Sequence, residues 1–164
     1  MRYIFSVICA VTLALTSDAG IAAVTPNSVV TAQTPNRGIV QFLQGTDSAG
    51  TYKTLYTGGS NGSKCSAIWE TNNDGSATHL VTVEIVNSSV KYGGVAITTA
   101  SNDGYANGVP AKNFMSPNIW GGLPLDSDGN PFFFLASGDT LQATFATALT
   151  SSTKINLVTI CADF

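Results

Sequence analysis

With 164 residues, 10% of them charged, 44% hydrophobic and a formal net charge of −3, the chain is long enough for one domain with a self-sufficient core. This balance excludes intrinsic disorder, which needs the opposite mix, and leaves few Glu–Lys pairs to dress an exposed helix. The cations beyond the N-terminal region, Arg37, Lys53, Lys64, Lys91, Lys112 and Lys154, are scattered singly, so no basic patch offers itself to phosphates and direct nucleic-acid binding is not expected.

The N-terminus reads as an export signal. Met1-Arg2 supplies a short positive region, Ile4 to Leu15 an apolar run of signal-core length, and Ala19, Gly20, Ala22 and Ala23 the small residues of a cleavage site. The run is too short for a comfortable bilayer span, and no later stretch approaches membrane length, so no membrane association is expected once residues 1–23 are removed. Residues 24–36, rich in Thr, Asn and Ser and bearing Pro26 and Pro35, lack periodicity. They read as a flexible arm, either a disordered leader or an extended segment lying on a neighbour.

The rest, residues 37–164, alternates between strand-like runs and turn residues. Strands are predicted at Arg37–Gln44, Thr51–Thr57, Lys64–Thr71, His79–Asn87, Val90–Thr98, Pro131–Ala136, Thr140–Ala148 and Thr153–Cys161. In the third, the two-residue period places Cys65, Ala67 and Trp69 on one face. In the fourth, Val81, Val83 and Ile85 point inward. Gly93-Gly94 in the fifth predicts a bulge or a close backbone approach. Ser101–Gly122 is the longest irregular region, with a short helical turn expected at Ala111–Met115. About eight antiparallel strands with turn chemistry between them give an all-β fold, a single β-sandwich or jelly-roll-like domain.

Several patterns resemble chemistry. Gly58-Gly59-Ser60-Asn61-Gly62 matches G-x-S-x-G, but a strand follows where a nucleophile elbow needs a helix. A hydrolase would have to use the single histidine, His79, as base, with Asp126 or Asp139 orienting it. The favoured reading of His79 is a strand-edge residue beside a polar turn. Asp126, Asp128 and Asn130 begin a calcium-loop pattern, but its glycine is misplaced and position twelve is Ser137. A looser calcium site is the weak candidate, and a turn bonded by its own Asp side chains is preferred. Glu70 and Glu84, the only glutamates, are expected to face solvent, which argues against a glycosidase pair. No cofactor motif and no catalytic set emerge.

Cys65 and Cys161 are the cysteines outside the signal core. They form a disulfide in an oxidising compartment or two small buried hydrophobes in a reducing one, and spacing does not choose. Among the aromatics, Trp120, Phe114 and Tyr105 lie in the irregular region and are the candidate loop contact for a partner or a sugar, or else they close over the core. Tyr52, Tyr56, Tyr92 and Phe132–Phe134 are expected to pack in the core or between sheets.

The stretch GLPLDSDGNPFFFLASGDTLQATF at Gly122–Phe145, with VTPNSVVTAQTP at Val24–Pro35, TYKTLYTGGSNGSK at Thr51–Lys64 and INLVTICADF at Ile155–Phe164, resembles a family of small structural proteins encoded in tailed-phage and prophage genomes. The resemblance spans about residues 24–164. It implies a non-enzymatic structural or assembly protein, of the kind that decorates a head or tail. Its partners would be copies of itself or other virion structural subunits. The setting would be a virion assembled in the host cytoplasm, or the periplasm or exterior if the signal is real. The alternative is a secreted carbohydrate- or surface-binding β-sandwich module.

Overall fold

The computed structural model describes residues 34–105 and 109–164. The predicted signal peptide and most of the predicted arm lie outside the described residues. Among these residues there are nine strands: β1 (Thr34–Leu43), β2 (Lys53–Thr57), β3 (Ser63–Asn72), β4 (His79–Asn87), β5 (Val90–Thr99), β6 (Lys112–Asn113), β7 (Phe133–Leu135), β8 (Thr140–Phe145) and β9 (Lys154–Asp163). They form two antiparallel sheets. One runs β1-β9-β3-β6, with β7 also pairing with β3, and the other runs β2-β8-β4-β5. The fold is an all-β sandwich, as the alternation of the sequence implies. No helix occurs among the described residues, and Lys112–Asn113 within the expected helical turn instead extends the first sheet beside Glu70 and Trp69.

The core lies between the sheets. Phe42, Ile68, Val81, Val83, Leu141, Phe145, Ile155 and Leu157 are fully buried there, and the Phe42 and Phe145 rings meet across the sheets at 4.9 Å. The first-sheet edge at β1 is closed against β2. A Cβ on Gly38 would stand 1.9 Å from the Leu55 carbonyl oxygen, so only glycine allows this approach. Beside it, Lys53 Nζ donates to the Gln41 carbonyl at 2.7 Å.

A bulge corrects the predicted facing of β3. Cys65 pairs with Cys161, but the next partner of Ile160 is Ala67, so Ser66 is the extra residue. A single inserted residue reverses every later side chain. Cys65, Ile68, Glu70 and Asn72 therefore point inward, while Ala67 and Trp69 point outward. Glu70, expected in solvent, is fully buried. Glu84 does lie on the outer face, 2.6 Å from Lys91. In β5 the bulge falls at Tyr92, one residue before the glycine pair, and a Cβ on Gly94 would press to 2.8 Å from the Val83 carbonyl oxygen.

Cys65 and Cys161 are register partners on β3 and β9 and form a disulfide. It joins residues separated by 96 positions inside the core. Of the residues expected in the core, Tyr56 and Phe133 are buried, but Tyr52, Tyr92 and Phe134 are about half exposed. Phe134 lies in β7 on the face opposite its buried neighbours, and Tyr92 is displaced by the bulge.

Candidate functional site: the outer face of the first sheet

The predicted site residues do not form one surface. Phe114 is fully buried in the core. Trp120 packs against the core and stacks on Phe133 at 5.4 Å, near the Cys65 end of β3. Tyr105 is exposed and lies 5.7 Å from Lys154 Nζ, which pairs at the other end of the sheet. Asp126 spends its carboxylate on its own turn, accepting from Asp128 N at 3.0 Å and Asn130 N at 2.8 Å. These N–H groups hold it below its ordinary value, and a loop that satisfies its own acid in this way is the self-bonded turn preferred from the sequence.

The hydrolase set is equally dispersed. Ser60 precedes β3, and His79 is held beside Asp74 just beyond the far end of that strand. Ten residues of strand put about 30 Å between the two regions. His79 is the first residue of β4, beside the polar turn as expected, and it is fully buried there. Its Nε2 faces Asp74 Oδ2 at 3.0 Å, and its Nδ1 faces the Thr147 carbonyl oxygen at 3.1 Å. The ring locks a turn.

Carboxylates elsewhere also serve as local fasteners. Asp139 accepts from Ala136 N and Asn87 Nδ2, each at 2.7 Å. Burial opposes its charge, but the Tyr92 hydroxyl and these donors keep it below its ordinary value. Asp163 is held low by the Ser63 hydroxyl and then by that of Tyr56, at 2.8 Å. These acids stabilise loops and sheet ends, and none lines a reactive cleft with a second acid.

Strand order assembles a feature that no single segment displays. On the outer face of the first sheet, Ile39, Val158 and Trp69 lie in one cross-strand row, and Arg37, Ile160 and Ala67 in the next. A third row holds Pro35, Ala162, Lys64 and Phe134. Below it, Phe134 contacts Phe132 at 5.2 Å and Phe164 at 5.9 Å, while Lys64 Nζ lies 4.4 Å over the Phe132 ring. Ile39 is 55% and Phe134 56% exposed. A sandwich's outer face ordinarily carries polar residues. Here the upper row is polar, with Gln41 donating to Asn156 and Asn156 to Thr71, while the rows below it are mainly apolar, with Asn113 beside Trp69 at the β6 end. Within the apolar rows the charges are both positive, Arg37 and Lys64, and among the described residues neither pairs with a carboxylate.

Beside this face, a cleft of about 550 Å³ is lined by Trp69, Asn113, Met115, Asp126, Asn130 and Pro131. The second sheet's outer face differs. Apart from Leu80 opposite Thr98, it presents small or polar side chains such as Thr82, Gly94, Ala96 and Thr98, with Glu84, Lys91 and Tyr52 linked in a chain. Sequence reasoning missed the apolar face. Its one local signal was β9, where Val158, Ile160 and Ala162 interleave with the inward Leu157 and Cys161.

No family model matches the chain, and no curated relative does. Among solved structures, one described as "Bacillus endospore appendages form a novel family of disulfide-linked pili" is similar at 12% identity and a TM-score of 0.39, covering 80% of this chain and 88% of that one. A chain of the cyanophage Pam1 capsid asymmetric unit is similar at 12% identity and a TM-score of 0.44, covering 80% and 84%. One neighbour is a pilus protein and the other a phage capsid protein, and likenesses this remote carry no argument about function.

Proposed function

We propose that this chain is a non-enzymatic structural subunit that assembles through the apolar outer face of the β1-β9-β3-β6 sheet. The observation that carries the reading is the row of Ile39, Val158 and Trp69, continued by Ile160, Ala162 and Phe134. Contiguous apolar surface of this kind is uncommon on a monomer and marks contact with another macromolecule. The resemblance of residues 24–164 to tailed-phage structural proteins supports copies of itself or other virion subunits as the partners. The signal-like N-terminus supports an exported setting for the same role.

Sedimentation of the full chain and of Ile39→Lys tests this. The wild type is expected to form oligomers, and the variant to fall toward monomer with its melting temperature unchanged, since an exposed edge position costs within about 0.5 kcal/mol. A wild type that stays monomeric at every concentration overturns the reading.

The Trp69 cleft favours a second reading, a carbohydrate-binding module. An aromatic ring flanked by Asn113, Asn130 and Asp126 offers a stacking face and amide partners for hydroxyls. A monomer that binds on a glycan array and loses binding in Trp69→Ala would establish it.

A further inference from the structure

We infer that the free edge of β5 pairs with β5 of a second copy, antiparallel about a twofold axis at Ala96, joining two second sheets into one continuous sheet. The inference rests on the assembly reading and adds a contact separate from the apolar face.

The two sheets have four lateral edges, and three are short or blocked. β2 has five residues, β6 two and β7 three. β1 is long, but its free side lies against β2, with the Gln41 carbonyl taken by Lys53 and Gly38 against Leu55. β5 is ten residues long and terminates its sheet, and among the described residues its outer side makes no backbone hydrogen bond. An uncovered edge is a template for another strand, so proteins that remain single blunt such edges with charge, proline or bulges. The bulge at Tyr92 disrupts only the start of β5. From Gly93 to Thr99 the segment reads GGVAITT, with no proline and no charge.

The occupant follows from side-chain facing and charge. Val95 and Ile97 point toward the core, and Val95 is only partly buried at the sandwich margin. An axis at Ala96 sets Val95 opposite Ile97 of the second copy on the inner side and Gly94 opposite Thr98 on the outer side. The part of each Val95 left uncovered thereby meets an apolar partner, and the small outer residues meet without crowding. No charged residue meets its own kind, because Lys91 lies outside the paired stretch and is held by Glu84 at 2.6 Å. Main-chain hydrogen bonds would supply the affinity, as in other strand additions.

Ala96 is exposed on the outer face and opposes itself across the axis, so charge placed there tests the register. Ala96→Lys and Ala96→Glu, each in the full chain, are expected to weaken association through this contact about fivefold, the scale of directly opposed like charges. Mixing the two in equal amounts should restore association, seen as the mixed dimer mass in native mass spectrometry. If neither variant shifts the sedimentation profile while Ile39→Lys does, the β5 inference falls and the assembly reading stands. Loss of association in both variants without rescue on mixing would point to a different strand on the β5 edge, such as residues 24–33 of another copy, and overturns the twofold pairing.

Discussion

His79 and Asp74 face each other at 3.0 Å with both side chains fully buried. The other ring nitrogen of His79 faces the Thr147 carbonyl oxygen. Asp74 and the Thr147 carbonyl thus clamp the ring from both sides. Asp74 also accepts from the backbone N–H groups of Ser76, Ala77 and Thr150. This buried contact ties the β3–β4 turn to the segment between β8 and β9.

Breaking that pair should be costly. Asp74→Asn replaces a carboxylate that accepts from three backbone N–H groups and faces His79, and a loss of about 1–3 kcal/mol is expected in urea unfolding at neutral pH. The wild type should also lose stability in acid. Burial disfavours the Asp74 charge, but the N–H groups of Ser76 and Thr150 and the His79 ring outweigh it and hold the group well below its ordinary 3.8. The folded state therefore binds fewer protons than the unfolded one. The contribution is complete above the ordinary value and is lost as pH falls through the folded one. An acid-unfolding curve that Asp74→Asn leaves unchanged would show that the pair is inert.

Glu70 should act in the opposite direction. It pairs with Lys112 in the β3–β6 register, yet neither of its oxygens finds a hydrogen bond. Burial first, and then the Asp103 charge, raise Glu70 from 4.5 to about 8, with Lys112 pulling the other way. The folded state holds a proton that the unfolded state has lost, so stability is fully present below the ordinary value and declines as pH rises toward 8. The loss is on the order of 5 kcal/mol. Glu70→Gln should flatten this decline in melting temperatures measured from mildly acidic to mildly alkaline pH.

Reduction of the Cys65–Cys161 disulfide should destabilise the domain without changing its fold. The bridge closes a long loop, with 96 positions between its ends, and releasing a loop of that length costs about 4–5 kcal/mol in the chain-entropy account. Denaturant midpoints of the oxidised chain and of Cys65→Ala/Cys161→Ala would measure it. Far-ultraviolet circular dichroism should stay the same, because β3 and β9 remain paired along their length.

Two aromatic residues read alike in the sequence should separate sharply. Phe114→Ala empties a fully buried position and is expected to cost about 3–5 kcal/mol. Tyr105→Ala touches an exposed ring and should stay within about 0.5 kcal/mol. Thermal unfolding of both variants decides the matter, and similar losses would mean that Tyr105 is part of the packed structure.

The sequence by itself determined the strands and the turns, because alternation and turn residues act over a few neighbouring positions. His79–Asn87 is a strand with Val81, Val83 and Ile85 inward, and the Asp126 turn bonds to its own backbone. Facing was legible only while the period of two held, and the extra Ser66 reversed it, carrying Glu70 inward and Trp69 outward. The disulfide required β3 and β9 to be neighbours, which cysteine spacing does not state. The apolar outer face is a product of tertiary structure alone. Ile39, Val158 and Trp69 are unremarkable in their own strands and become one surface because β9 lies between β1 and β3. The open edge of β5 has the same origin, since a strand cannot show from its own residues whether another strand will lie beside it.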